Sequence, residues 1–124
     1  MTQLISIAFG GAIGAVLRFS TSNMIYSQFG RTFPWGTLMV NVTGSLFMGL
    51  LFVLFTERME LNSDLRAFIT VGLLGAFTTF STFSIETMNL IESGELTRAG
   101  VNILASVVCC LAACWLGMII ARQL

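Results

Sequence analysis

An all-α membrane protein with four transmembrane helices is the fold class this sequence predicts, and three observations predict it. Charged residues are only 10% of the 124 and hydrophobic residues 56%, whereas a soluble domain carries about 25% charged residues to clothe its surface. Mean hydropathy is high, at +0.89. The apolar residues gather into four long stretches joined by short polar connections. No stretch outside these segments is long enough for a soluble domain, so residues 1–124 are expected to form a single four-helix transmembrane domain.

The first segment runs from Leu4 to Tyr26, the second from Trp35 to Phe55, the third from Leu65 to Ile91 and the fourth from Ala99 to Ile120. Each has at least the ~20 residues that cross roughly 30 Å of hydrocarbon. Arg18 is the first charged side chain, so the first segment lacks the basic start of a signal peptide and reads as a membrane helix. The connection GRTFP holds the only proline, Pro34, suited to the entry of the second helix. ERMELNSD separates the second and third segments. ESGELTR joins the last two, with Gly94 marking a turn or helix end.

The third segment is the unusual one. Five of the seven residues from Thr78 to Ser84 are Ser or Thr, the other two are Phe80 and Phe83, and Gly72 and Gly75 precede them. Hydroxyls satisfy backbone groups that a broken helix frees, so this run predicts a break near the middle of the helix. Unwound carbonyls at such breaks commonly coordinate a cation. The alternative is a continuous helix whose hydroxyls bond back to its own carbonyls.

Short loops put the N-terminus, the second loop and the C-terminus on one side, with Arg58, Arg66 and Arg122. The other side has Arg31 and Arg98. An Arg difference this small gives a weak orientation signal, which predicts insertion both ways up and pairing of opposite copies. Gly10 with Gly14, Ser45 with Gly49 and Ala113 with Gly117 are small residues at spacing four. They allow close helix contact, within or between subunits. The net charge of zero removes the basic face that nucleic acid binding needs. The absence of His excludes a His-dependent catalytic pair and imidazole metal ligation.

Several polar residues lie where hydrocarbon is expected. Arg18 sits well inside the first segment. It either lines a protein or water path, where it raises the local anion concentration, or snorkels to the interface. Asn41 lies in GTLMVNVTGS with Thr37 one turn away. It serves as glue between helices, as an NH₂ donor to an anion, or as a carbonyl offered to a cation. Phe80 and Phe83, three apart, share a helix face, and aromatic ring edges are electropositive. Glu86 follows one turn later, at the end of a polar track or at the interface. Cys109, Cys110 and Cys114 suggest soft-metal handling, set against the small apolar packing role of free cysteine.

Three motifs carry a resemblance over essentially the full length: GGAIGAVLR at 10–18, GTLMVNVTGSLFMG at 36–49 and GLLGAFTTFSTFSIE at 72–86. With them the chain resembles the CrcB/Fluc fluoride channels. The Cys109–Cys110 pair replaces small or polar residues common in that family's fourth helix. The resemblance implies a passive fluoride channel, not an enzyme. It implies an antiparallel dual-topology homodimer in a prokaryotic inner membrane, with two pores lined by both subunits. Asn41 is then the anion donor, and Phe80 and Phe83 supply ring edges. Ser81 and Thr82, with Thr37 and Glu86, continue a polar track, and Arg18 lies near the aqueous vestibule. The backbone carbonyls of Gly75 and Thr78 from both subunits surround one structural sodium ion, which is not transported.

The chemistry of that reading is coherent. Neutral HF crosses lipid, ionises in the cytoplasm and is trapped as fluoride, which a membrane potential negative inside drives out through a passive channel. Dehydrating fluoride requires donors in a tight path, and conduction requires weak, multi-site binding. The rivals are a small dual-topology multidrug or cation exporter, a non-transporting membrane scaffold, and a soft-metal carrier. An exporter coupled to protons needs an embedded carboxylate, and the first two segments contain none.

Overall fold

A computed structural model describes residues 1–124 as four helices, with no strand. Helix α1 spans Thr2–Phe29, α2 Trp35–Arg58, α3 Ser63–Glu92 and α4 Leu96–Gln123, each long and apolar enough to cross a membrane. Every helix exceeds its apolar segment by a few residues, because backbone hydrogen bonding continues into the polar flanks after hydrophobicity has ended. Only 23 of the 124 residues are buried. Most large apolar side chains therefore face outward, as a lipid-embedded bundle requires, and the chain is a multi-pass membrane protein.

Local chemistry sets the helix ends. α1 stops at Gly30, whose φ of 79° is the left-handed region open to glycine, and its N–H donates to the Tyr26 carbonyl at 2.8 Å. Gly94, at φ 80°, makes the turn from α3 to α4 that the sequence predicts. Asn62 caps α3 by accepting from the Leu65 N–H at 2.7 Å. The last turn of α2, Leu54–Arg58, widens to π geometry, and so does Phe68–Leu74 within α3.

α1 packs beside the first half of α3 with the chains running in the same direction. Gly10 rests on the backbone of Phe68 and Leu73, and Gly14 on that of Leu73. α2 crosses α4 by a reciprocal approach, Gly49 against the Cys114 backbone and Gly117 against that of Leu46. A Cβ at any of these four glycines would collide with a carbonyl, so small residues here join helices within one chain.

The two ends of the bundle hold most of the arginines. At one end Arg58 donates to the Arg122 carbonyl at 2.6 Å, Arg66 to the Phe55 carbonyl at 2.9 Å, and Arg122 pairs with Glu57 at 3.6 Å. At the other end Arg98 pairs with Glu95 at 3.0 Å, and the Arg31 guanidinium stacks on the Tyr26 ring, 4.5 Å from its centre. The arginines of each end are thus the ones that short loops predict.

Candidate functional site

The expected break in α3 is present. Helical geometry stops after Phe77 and resumes at Phe80, with Thr78 and Thr79 extended (ψ 157° and 119°). Asn41 of α2 fills the gap. Its Oδ1 accepts from the Thr79 N–H at 2.8 Å and its Nδ2 donates to the Thr79 carbonyl at 2.9 Å. This amide does for Thr79 what a neighbouring strand would do. Gly44, one helical turn from Asn41 on the same face, allows the approach, because a Cβ there would strike the Thr78 methyl.

The break redirects two amides. In a continuous helix the Thr79 N–H would bond the Gly75 carbonyl and the Thr82 N–H the Thr78 carbonyl. Here the Thr79 N–H goes to Asn41, and the Thr82 N–H goes to the Thr79 hydroxyl oxygen at 3.2 Å. Thr79 is therefore the N-cap of the second half of α3. Both Gly75 and Thr78, the pair that the family resemblance implies, lose their helical partners at the carbonyl. Gly75 is also exposed on the surface of the chain.

The hydroxyl run gathers around the cap. The Thr79 hydroxyl lies 3.1 Å from that of Thr82 and 3.3 Å from that of Ser81. Ser84 instead donates to the Phe80 carbonyl at 2.9 Å and Thr78 to the Leu74 carbonyl at 3.1 Å, the backbone-bonding alternative realised at two positions. A groove of about 470 Å³ opens beside the break, between α2, α3 and α4. It brings together Asn41, Thr78, Thr79, Phe80 and Phe83 with Ser106, Cys110 and Cys114 of α4. The two phenyl rings lie 5.2 Å apart at 43°. Phe80 is 76% exposed, so one face of the groove is open to the surroundings.

Thr37 and Glu86 form a separate cluster nearer the Arg31 end. The Thr37 hydroxyl donates to Glu86 Oε1 and the Tyr26 hydroxyl to Glu86 Oε2. The Thr37 N–H donates to the Tyr26 hydroxyl oxygen at 3.4 Å. Glu86 thus ties α1, α2 and α3 together and faces a polar cavity of about 390 Å³ that Arg31 and Arg98 also line. Between this cluster and the groove runs a further chain of polar contacts. Ser106 donates to Asn102 Oδ1 at 3.4 Å, Asn102 Nδ2 to the Thr87 hydroxyl at 2.9 Å, and Thr87 to the Phe83 carbonyl at 2.7 Å. Asn102 is 1% exposed. Arg18 is half-buried, one turn beyond Gly14 on the same face of α1, and lines neither the groove nor the polar cavity.

Asn41, Phe80 and Phe83 therefore meet at one groove, with Ser81 and Thr82 beside its capping threonine. Thr37, buried, meets Glu86, which lines the next cavity, and Arg18 stands apart. Sequence reasoning missed Thr79, Tyr26, Asn102 and Ser106. Asn102 carried the signal that singled out Asn41, an amide inside an apolar segment. Tyr26 is the only tyrosine and served in the sequence only to close the first segment.

The family model described as "CrcB-like protein, Camphor Resistance (CrcB)" matches residues 5–118. A curated protein of Magnetococcus marinus named "Fluoride-specific ion channel FluC" is 53% identical over 120 residues, covering 97% of this chain and 98% of that protein. One of Geobacter sulfurreducens with the same name is 47% identical over 124 residues, the full length of both. One of Methylococcus capsulatus, also so named, is 54% identical over 122 residues, and there the chain spans only about half of the relative, 54%. The match runs from the first turns of α1 almost to the end of α4 and takes in the break, its Asn41 tie and both cavities, so the chain belongs to the CrcB-like family.

Proposed function

We propose that the chain is a passive, fluoride-selective channel, and not an enzyme, that lets fluoride leave a prokaryotic cytoplasm across the inner membrane. The relatives' printed name supports fluoride as the ion. The observation that carries the reading is the Asn41 amide at the helix break. An amide nitrogen has two hydrogens. One goes to the Thr79 carbonyl, and the second is free to meet an anion in the groove. The ring edges of Phe80 and Phe83 add weak positive potential beside it. No Lys, Arg or acid lines the groove, so nothing there traps an anion. A cation exporter would want a carboxylate in that space, and the only one within the four apolar segments, Glu86, accepts from two hydroxyls beside the other cavity.

The working unit is an antiparallel dual-topology homodimer with two pores. The groove supports this: polar Asn41, Thr78 and Thr79 line an opening on the outside of the chain at mid-span, where lipid would leave them poorly solvated. A second copy covers that opening and completes the wall. The near-balanced arginine ends permit both orientations.

A structural sodium ion fits the same break. The Gly75 and Thr78 carbonyls are hard oxygen donors released from the helical ladder, and Gly75 faces outward toward a second copy. Each chain supplies two such carbonyls, which would hold one shared ion where two copies meet. The ion supplies positive charge that fixes the unwound backbone. It takes no part in the fluoride path, which Asn41, the rings and the hydroxyls line.

The test is fluoride release from liposomes carrying the purified protein, read with a fluoride electrode with chloride as competing anion. Rapid fluoride release with negligible chloride release is expected. No release above empty liposomes, from a cross-linked dimer in sodium buffer, would overturn the reading.

A further inference from the structure

Three sulfur-bearing side chains line the groove, and the fluoride reading uses none of them. Cys110 and Cys114 stand one turn apart on α4, and Met48 of α2 lines the same space. Cys109 is exposed and lies outside it. We propose that Cys110, Cys114 and Met48 form a binding site for a soft monovalent cation of the silver(I) or copper(I) class, and that its occupancy stops ion flow through the groove. The flux part of the proposal rests on the fluoride reading; the binding part does not.

The spacing suits the chemistry. Residues four apart on a helix have Cβ atoms roughly 5–6 Å apart. Two metal–sulfur bonds of roughly 2.3 Å, the zinc value, span a similar distance. Thiolate and thioether ligands select soft cations over hard ones, so the site would ignore sodium and calcium. No carboxylate or imidazole lines the groove to attract a harder metal. The balance of the step follows from the low-dielectric surroundings, which favour a neutral complex. One thiol loses its proton to water as its sulfur bonds the cation. The second cysteine, as thiol, and the Met48 thioether donate lone pairs without losing a proton. One cation enters, one proton leaves, and nothing is oxidised. The bound metal draws sulfur from α2 and α4 across the groove that Asn41 and Phe83 share, and so narrows it.

The experiment uses silver nitrate in chloride-free nitrate medium, where silver fluoride stays soluble. Bound silver per chain is measured by equilibrium dialysis of reduced protein, and fluoride release from liposomes is measured alongside. Wild type and C109S are expected to bind one silver ion per chain and to lose at least tenfold in fluoride release when silver is added. C110S/C114S, and C110A/C114A as an apolar replacement, are expected to lose that binding and keep their release. Equal binding by the double variants, or loss of binding in C109S, would overturn the site. Binding without any fall in release would overturn its position on the flow path. Absence of fluoride release from every protein before silver is added would count against the channel reading instead, with the binding result standing by itself.

Discussion

Replacing Asn41 with alanine removes the side chain that pairs with both backbone groups of Thr79 at the α3 break. Two hydrogen bonds are lost, 2.8 Å to the Thr79 N–H and 2.9 Å from Asn41 Nδ2 to the Thr79 carbonyl. Thr79 is 9% exposed, so water does not readily replace them. Leaving a buried backbone group unpaired costs about 1–3 kcal/mol. Opening of the Thr79 amide should become easier by that amount, which is roughly 5- to 150-fold in hydrogen exchange at that position. The assay is amide hydrogen exchange of the detergent-solubilised protein, with peptides resolving Thr79 from the second half of α3. Exchange at helix α2, away from Asn41, should not change. Asn41→Asp keeps the acceptor for the Thr79 N–H and loses the donor, so its amide should stay protected while the Thr79 carbonyl faces a second acceptor. Fluoride release should collapse in both variants, since neither offers the free N–H. Unchanged exchange at Thr79 in Asn41→Ala would refute the tie between this amide and the break. Full release in either variant would refute its role as donor.

Four further outcomes follow from the same geometry. Phe80→Ile and Phe83→Ile should each lose most fluoride release, and Phe80→Ile should keep its Tm because the ring is largely exposed; normal release in both removes the ring-edge argument. Gly49→Ala forces a methyl into the Cys114 carbonyl and should destabilise the bundle by about 1–3 kcal/mol, whereas Gly100→Ala, with nothing within 4 Å, should stabilise it by roughly 0.5–1 kcal/mol; thermal unfolding in detergent separates them. Tyr26→Phe removes a hydroxyl from Glu86 and should cost roughly 1–3 kcal/mol in the same assay, with an unchanged Tm refuting the cluster's role in tying α1 to α3. Replacing sodium with N-methylglucamine should lower fluoride release and dimer stability together; indifference of both would remove the sodium site.

Much of this molecule was legible in the sequence because lipid imposes a simple rule. Apolar runs of membrane length must be helices, so the four spans and their short connections followed from hydropathy. The break followed from the density of hydroxyls between Thr78 and Ser84, which marks where a helix can surrender its own bonds. Gly94 and the balance of arginines between the two ends were equally readable, because turn chemistry and flank charge are local. The fourth helix was less legible. Ser106 and Asn102 gain their meaning from Thr87 and Phe83, which lie on another helix, and no local pattern reports that pairing.

What the sequence by itself determined was the class of each segment and the residue types at bilayer depth, since burial in hydrocarbon acts on each span separately. Only the tertiary structure decided who meets whom. It took Gly10, Gly14, Gly49 and Gly117 for packing within the chain, because close backbone approach depends on how helices cross. It bound Asn41 to Thr79 across α2 and α3, and so released the Gly75 and Thr78 carbonyls. It set Glu86 between Tyr26 and Thr37, and turned Cys110 and Cys114 toward the groove but Cys109 away from it. A hydrogen bond between residues far apart in the chain depends on the relative placement of two helices, and that placement is a property of the packed bundle, not of any one segment.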